Sequence, residues 1–193
     1  MAAFDERFFR RFYENRASRV QGRREVNRLA SVVTTIVETS YGPIRTALDI
    51  GAGTGLWRDW FAARRPRTRY RSTDVSAYAC QRYGHERRDI ARWRVEEEFD
   101  LVVCQSVLPY LSDADAARAI RNITAMTRGF LYLEAVTDRD LAVADCATDF
   151  DMKGRPAEWY RSRLRKGFQQ VGYGLWVRRT ANAHLWELEY GAD

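Results

Sequence analysis

The chain has 193 residues, 46% hydrophobic and 13% aromatic, which suits one globular domain with a proper core. It has no apolar run near the roughly 20 residues of a membrane span. Its charged aromatic start (M-A-A-F-D-E-R-F-F-R-R-F-Y) lacks the apolar stretch of a secretory signal, so no membrane partner and a cytoplasmic location are expected.

Net charge is +6, carried almost wholly by arginine, since Lys153 and Lys166 are the only lysines. The arginines are spread along the chain with acids between them, whereas a nucleic-acid surface gathers them on one face or in one tail, so nucleic acid is not expected as a partner. Cys80, Cys104 and Cys146 are odd in number and far apart, which gives neither a disulfide framework nor a zinc spacing, and no metal is expected.

In chain order, residues 4–15 and 23–41 show helical spacing of apolar residues, the first through Phe8, Phe9, Phe12 and Tyr13, and Tyr41-Gly42-Pro43 breaks the second. An apolar strand then runs into glycines over residues 47–55, A-L-D-I-G-A-G-T-G. Helix 56–63, strand 68–74 and helix 76–83 follow, then a charged stretch 85–93 and a buried strand 99–108 preceded by acids. A helix from Ser112 to about Met126 carries Asp113 and Asp115 at its positive end. Strand 129–136, a long acidic segment 137–155, helix 156–166 and a final antiparallel pair, 168–178 with 184–190, complete a count of seven strands. There is no internal repeat, linker or low-complexity segment.

Glycines after a strand let the backbone turn tightly and let a small molecule lie against bare peptide groups. The pattern here is G-x-G-x-G at Gly51, Gly53 and Gly55, and Leu56 breaks the dinucleotide form G-x-G-x-x-G. Asp49 would repel a diphosphate and suits a cationic amine. Asp74 ends the second strand about twenty residues beyond the glycines, where an acid meets an adenosine ribose and accepts from both hydroxyls; capping helix 76–83 is a compatible role. A nicotinamide oxidoreductase is further disfavoured because neither lysine completes a Tyr-x-x-x-Lys pair.

These residues resemble the first motif of the class I S-adenosylmethionine-dependent methyltransferases, h-h-D-x-G-x-G-x-G with h apolar. The resemblance implies a three-layer αβα sandwich with a mostly parallel seven-stranded sheet in order 3-2-1-4-5-7-6, last strand antiparallel. Residues 1–43 would be a helical cap and 44–193 a Rossmann-like core of one domain. S-adenosyl-L-methionine would be the cofactor, held around Asp49, Gly51, Ala52, Gly53, Asp74 and Val75. Asp89 and Ile90 match the family's third motif at the adenine, although an ordinary loop-to-strand junction would look the same. Cys104, Gln105 and Ser106 would lie beside the methionine part, and Tyr13 would cover it unless its aromatic neighbours are simply a core stripe. The chain lacks N-P-P-Y or D-P-P-Y at the fourth motif, which argues against base amino-methylation.

Methyl transfer needs a nucleophile held in line and water excluded, and only a neutral amine or an alcohol gains from a general base. Tyr110 and Glu134, with Asp138, are candidates for that role. Arg155, Trp159 and Tyr160 are candidates for the substrate pocket, with helix packing as the plainer reading. His85 and His184 read as structural. The function expected is methylation of a small-molecule acceptor; the alternatives are an RNA methyltransferase and a non-catalytic cofactor-binding module.

Overall fold

The computed structural model describes residues 4–15, 21–143 and 152–186. β1 (Thr46–Ile50), β2 (Arg69–Asp74), β3 (Glu86–Arg87), β4 (Phe99–Gln105) and β5 (Thr127–Glu134) run parallel. β7 (Leu175–Arg178) lies between β5 and β6 (Phe168–Gly172), antiparallel to both. The sheet has seven strands in order β3-β2-β1-β4-β5-β7-β6, as the sequence implies.

Side chains alternate across each strand, so every central strand feeds two cores. Leu48, Ile50, Val102, Cys104, Leu131 and Leu133 pack against α5 (Asp113–Met126) and α7 (Ala157–Leu164) through Ile120, Ile123, Met126 and Leu164. Ala47, Leu101, Val103 and Phe130 face α2 (Arg23–Tyr41) and α3 (Leu56–Arg64) through Val26, Ala30, Val33, Val37, Trp60 and Phe61. These are the three layers. α4 (Ala77–Tyr83) begins at Ser76, whose hydroxyl accepts from Ala79 N–H, and ends at the left-handed Gly84.

Three elements differ from the sequence reading. Alternation merges 168–178 into one strand, but Tyr173 (φ 49°) and Gly174 (φ 78°) turn the chain back, so both strands of the last pair fall inside it. His184 to Trp186 are not in a strand, and 187–190 lie outside the described residues. The acidic segment contains α6 (Asp138–Ala142), started by a reciprocal cap between Thr137 and Asp140. Residues 4–15 hold a single α-helical turn, α1 (Glu6–Phe9), that continues as a π-helical turn over Arg10–Glu14. Cys80 and Cys104 are free thiols, and Cys146 lies outside the described residues.

Candidate cofactor and acceptor sites

The loop after β1 is built from left-handed glycines, Gly51 at φ 70°, Gly53 at φ 56° and Gly55 at φ 78°. It folds onto the end of β2, where Gly51 N–H and Ala52 N–H both donate to the Thr73 carbonyl, at 2.8 and 3.0 Å. A Cβ on Gly51 would lie 2.3 Å from Val107 Cγ2, whereas one on Gly53 would meet nothing nearer than the Gly51 carbonyl at 3.9 Å and the Phe9 ring at 4.0 Å. Gly51 is thus required by packing, and Gly53 opens its bare face to a space that Phe9 borders.

Asp74 draws the loop and α4 together. Its Oδ2 accepts from Gly53 N–H at 2.9 Å and its Oδ1 from Ser76 N–H at 2.8 Å. From below, His85 Nε2–H donates to the Gly53 carbonyl at 3.0 Å; Nδ1 then accepts from Ser72 Oγ at 2.9 Å, because a carbonyl can only accept. Burial pulls the His85 pKa down, against the pull of the Gly53 carbonyl, so the ring stays neutral and works as a brace.

Asp49 is placed elsewhere. It shares a face of the sheet with Ala47, under α3, and is 2% exposed. Tyr70 Oη donates to its Oδ2 at 2.7 Å. Burial pushes the Asp49 pKa up to about 7, opposed by the Tyr70 hydroxyl and reinforced by the charge of Asp74. The carboxyl supports the loop from beneath and does not line the cavity beyond it.

That cavity, about 80 Å³, opens at the carboxyl ends of β1, β2 and β4, where open α/β sheets bind their ligands. Its floor is Gly51, Gly53, Asp74, Val75, Gln105 and Ser106, and one wall is Val107, Tyr110 and Leu111. Its roof is Phe4, Phe8, Phe9 and Tyr13. The roof is pinned by Ser76 Oγ donating to the Phe4 carbonyl at 2.5 Å and Tyr83 Oη donating to Glu14 at 2.7 Å. Edge-to-face contacts join Phe4 and Phe8 to Tyr110, with ring centroids 5.0 and 6.2 Å apart.

At the end of β4 Gln105 is fully engaged. Its Oε1 accepts from Trp57 Nε1–H at 2.9 Å, and its Nε2 donates to Gln21 at 2.7 Å and to Glu134 at 3.1 Å. Ser106 holds a left-handed backbone (φ 56°), uncommon without glycine, which brings its Oγ to Glu134 Oε1 at 2.8 Å. Tyr132 Oη also donates to Glu134, at 3.1 Å. Glu134 therefore stands behind the wall of the cavity rather than in it.

The cavity gathers Tyr13, Gly51, Gly53, Asp74, Val75, Gln105, Ser106 and Tyr110 from the residues singled out in the sequence. Ala52 belongs to the loop but engages it only through its backbone, its N–H donating to Thr73 and its carbonyl accepting from Gly55 N–H at 2.9 Å. Cys104 is fully buried beneath. The Asp89 carboxylate accepts from Ala91 N–H at 2.9 Å and pairs with Arg92, and Ile90 packs in the core beside α5. Neither borders the cavity.

The substrate-pocket candidates are structural in this geometry. Arg155, 4% exposed, donates to the carbonyls of Leu108 and Leu111, to Asp113 at 2.9 Å and to Tyr160 Oη at 3.3 Å. The Trp159 ring is covered by Arg163, whose guanidinium carbon lies 3.8 Å from the ring centroid, and Tyr160 is buried. Arg155 clamps the 3₁₀ turn Leu108–Tyr110 and so positions Tyr110 from behind. Sequence reasoning did not single out the roof residues Phe4, Phe8 and Phe9; Phe8 and Phe9 entered it only with Phe12 and Tyr13, as a possible core stripe. It also missed Val107 and Leu111, whose one signal was their place just after the β4 end.

The geometry defines a Rossmann-like site of the class I methyltransferase type. A family model described as a methyltransferase domain matches residues 48–128, from β1 into the start of β5. No curated protein sequence matches it. Among solved structures, the N-methyltransferase NodS from Bradyrhizobium japonicum WM9, in complex with S-adenosylhomocysteine, is 21% identical, with a TM-score of 0.58 over 80% of this chain and 87% of NodS. The plantazolicin methyltransferase BpumL, also with S-adenosylhomocysteine, is 11% identical, with a TM-score of 0.61 over 73% of this chain and 63% of BpumL. The [4+2]-cyclase SpnF is 20% identical, with a TM-score of 0.58 over 83% of this chain and 63% of SpnF. The chain spans about half, 51%, of the length of CalS10, an amino pentose methyltransferase from Micromonospora echinaspora that superposes at a TM-score of only 0.47, over 57% of this chain at 22% identity. At these identities the likeness establishes the fold. Among the described residues no helix is long and apolar enough to cross a membrane, and no group of His, Cys, Asp and Glu could hold a metal ion.

Proposed function

We propose that the protein is a methyltransferase that uses S-adenosylmethionine to methylate a small-molecule acceptor. The observation that carries this reading is the convergence of Gly53, Asp74, Gln105 and Ser106 on one cavity at the carboxyl edge of the sheet. When bound, the cofactor supplies a methyl group already activated by its sulfonium.

The chain's own residues fit that group. Asp74 keeps acceptor capacity beyond its two backbone bonds and would take the ribose hydroxyls. Gly53, where an added Cβ would point into the space bordered by the Phe9 ring at 4.0 Å, would let the ligand approach the backbone. Gln105 and Ser106 would border the methionine end under Tyr13, and the adenine end would extend past Val75 toward Asp89 and Ile90.

Volume is the one mismatch. Small-molecule sites usually measure about 300–1,000 Å³, and this cavity of about 80 Å³ is filled by its aromatic roof. Residues 4–15 therefore have to move for the cofactor to enter, after which the same aromatics would exclude water from the site. The likeness to the sugar N-methyltransferase KedS8 supports the acceptor class.

Isothermal titration of S-adenosylhomocysteine tests the reading. Saturable binding is expected, weakened about tenfold or more by Asp74→Asn, the size of a lost hydrogen bond to a charged group. A folded protein that takes up no ligand at millimolar concentration contradicts it.

A further inference from the structure

At the opposite edge of the sheet from the cofactor cavity, an open groove of about 620 Å³ lies between the second half of α5 and the end of α7. Both helices finish there, where β5 and β6 begin and β7 ends. Four cations line the groove, Arg121, Arg163, Lys166 and Arg178, and no acid does. Its floor is the small apolar surface of Ala117, Ile120 and Ala125, with Thr124 beside them.

Neighbouring acids do not balance this charge. Between residues 158 and 179 the chain has six cations and one acid, Glu158, which pairs with Arg165 at 3.0 Å. Between Asp115 and Glu134 it has no acid, and Asp115 itself pairs with Arg118. Arg121 and Lys166 are exposed, and among the described residues neither pairs with a carboxylate. Arg178 is half-buried and held by carbonyls, its Nε donating to Thr127 at 3.2 Å and its Nη1 to Gly167 at 3.1 Å. A Cβ on Gly167 would lie 2.8 Å from that Nη1, so the glycine is what admits the guanidinium. Arg163 donates to the Trp159 carbonyl at 2.8 Å and covers the Trp159 ring. These contacts fix both guanidiniums without neutralising them.

We infer that this groove docks an acidic, amphipathic segment of a partner protein, whose carboxylates meet the four cations while its apolar side chains cover the floor. A lining with one sign of charge selects an anionic partner. The planar forks of Arg163 and Arg178 suit carboxylates, and the mobile heads of Arg121 and Lys166 reach further ones. The floor chooses among anions, since a phosphate backbone brings nothing apolar to cover Ala117, Ile120 and Ala125. Among the described residues no aromatic ring lines the groove to stack the bases of a single strand. A furrow between two helices matches a third helix laid into it, with acids on its flanks. Because the groove and the cofactor cavity are at opposite edges of the sheet, the partner would dock without covering the cavity.

Fluorescence anisotropy of the full chain with a short labelled peptide of leucine, alanine and glutamate, its leucines on one helical face and its glutamates on the flanks, tests the inference. Saturable binding is expected, weakened about tenfold or more when lysine replaces glutamate and severalfold when serine replaces leucine. Arg121→Glu combined with Lys166→Glu, both exposed and both outside the cofactor site, is expected to weaken it about tenfold with the fold intact by circular dichroism. Absence of binding, equal binding of the lysine or serine peptide, or indifference to the charge reversal overturns the inference. So does tighter binding of a single-stranded RNA of equal charge, an outcome that would assign the groove to nucleic acid.

Discussion

Asp49 and Asp74 close neighbouring strands, yet their surroundings give them opposite work. Asp74 reaches the cavity and accepts two backbone N–H groups, while Asp49 lies under α3 against Tyr70. With its pKa raised from 3.8 to about 7 in the folded state, Asp49 makes the native protein bind the extra proton between those values. Its contribution to stability therefore falls as pH rises from about 4 to 7, and the full cost persists above. His85 acts in the opposite sense, since its lowered pKa costs stability as pH falls below its usual value of 6.5. Asp49→Asn, which keeps an acceptor for Tyr70, isolates the first effect. In urea titrations the variant is expected to gain on the wild type steadily between pH 4 and 7 and to be the more stable at pH 8. Parallel pH profiles for the two proteins would show that Asp49 carries no such cost.

At the scale of elements, the roof and the clamp behind Tyr110 matter most. Residues 4–15 fill the cavity with aromatic rings, so binding draws on whatever fraction of molecules has that segment open. Phe8, in ring contact with Phe4, Phe9, Phe12, Tyr13 and Tyr110, is the centre of the seal. Phe8→Ala is expected to raise the association rate of S-adenosylhomocysteine severalfold in stopped-flow fluorescence, with Trp57, bonded to the wall residue Gln105, as reporter. An unchanged rate would mean that the segment does not gate entry. Arg155 holds the Leu108–Tyr110 turn through a planar fork that lysine does not reproduce. Arg155→Lys leaves buried carbonyls without donors, so a loss of roughly 2–4 kcal/mol is expected in urea unfolding. A loss within about 0.5 kcal/mol, the range of ordinary surface substitutions, would contradict the clamp. Arg155 looked like a substrate residue in the sequence because its partners, Leu108, Leu111 and Asp113, lie 42 to 47 positions away. The β6–β7 turn was hidden for a local reason, since Tyr173 takes a left-handed conformation that its residue type does not announce.

Across the whole molecule, the parallel strands bring the Gly51 loop, Asp74 and Gln105 to one edge of the sheet, and that much is written in short-range patterns. Glycines after a strand, an acid at the end of the next and a buried apolar run each declare themselves within a few residues. What the pattern does not carry is direction across the sheet and pairing at long range, as Asp49 beneath the loop and Glu134 behind the cavity wall both show. The same architecture serves a cyclase in SpnF, so reaction type has to come from the site and not from the fold. The most direct measurement is a crystal structure of the protein grown with S-adenosylhomocysteine. The account predicts the nucleoside at the carboxyl edge, ribose hydroxyls on Asp74, the methionine end between Gly53 and Gln105–Ser106, and residues 4–15 displaced from their present seat. A ligand found elsewhere on the protein, or one seated with the aromatic roof unmoved and Asp74 untouched, would contradict it.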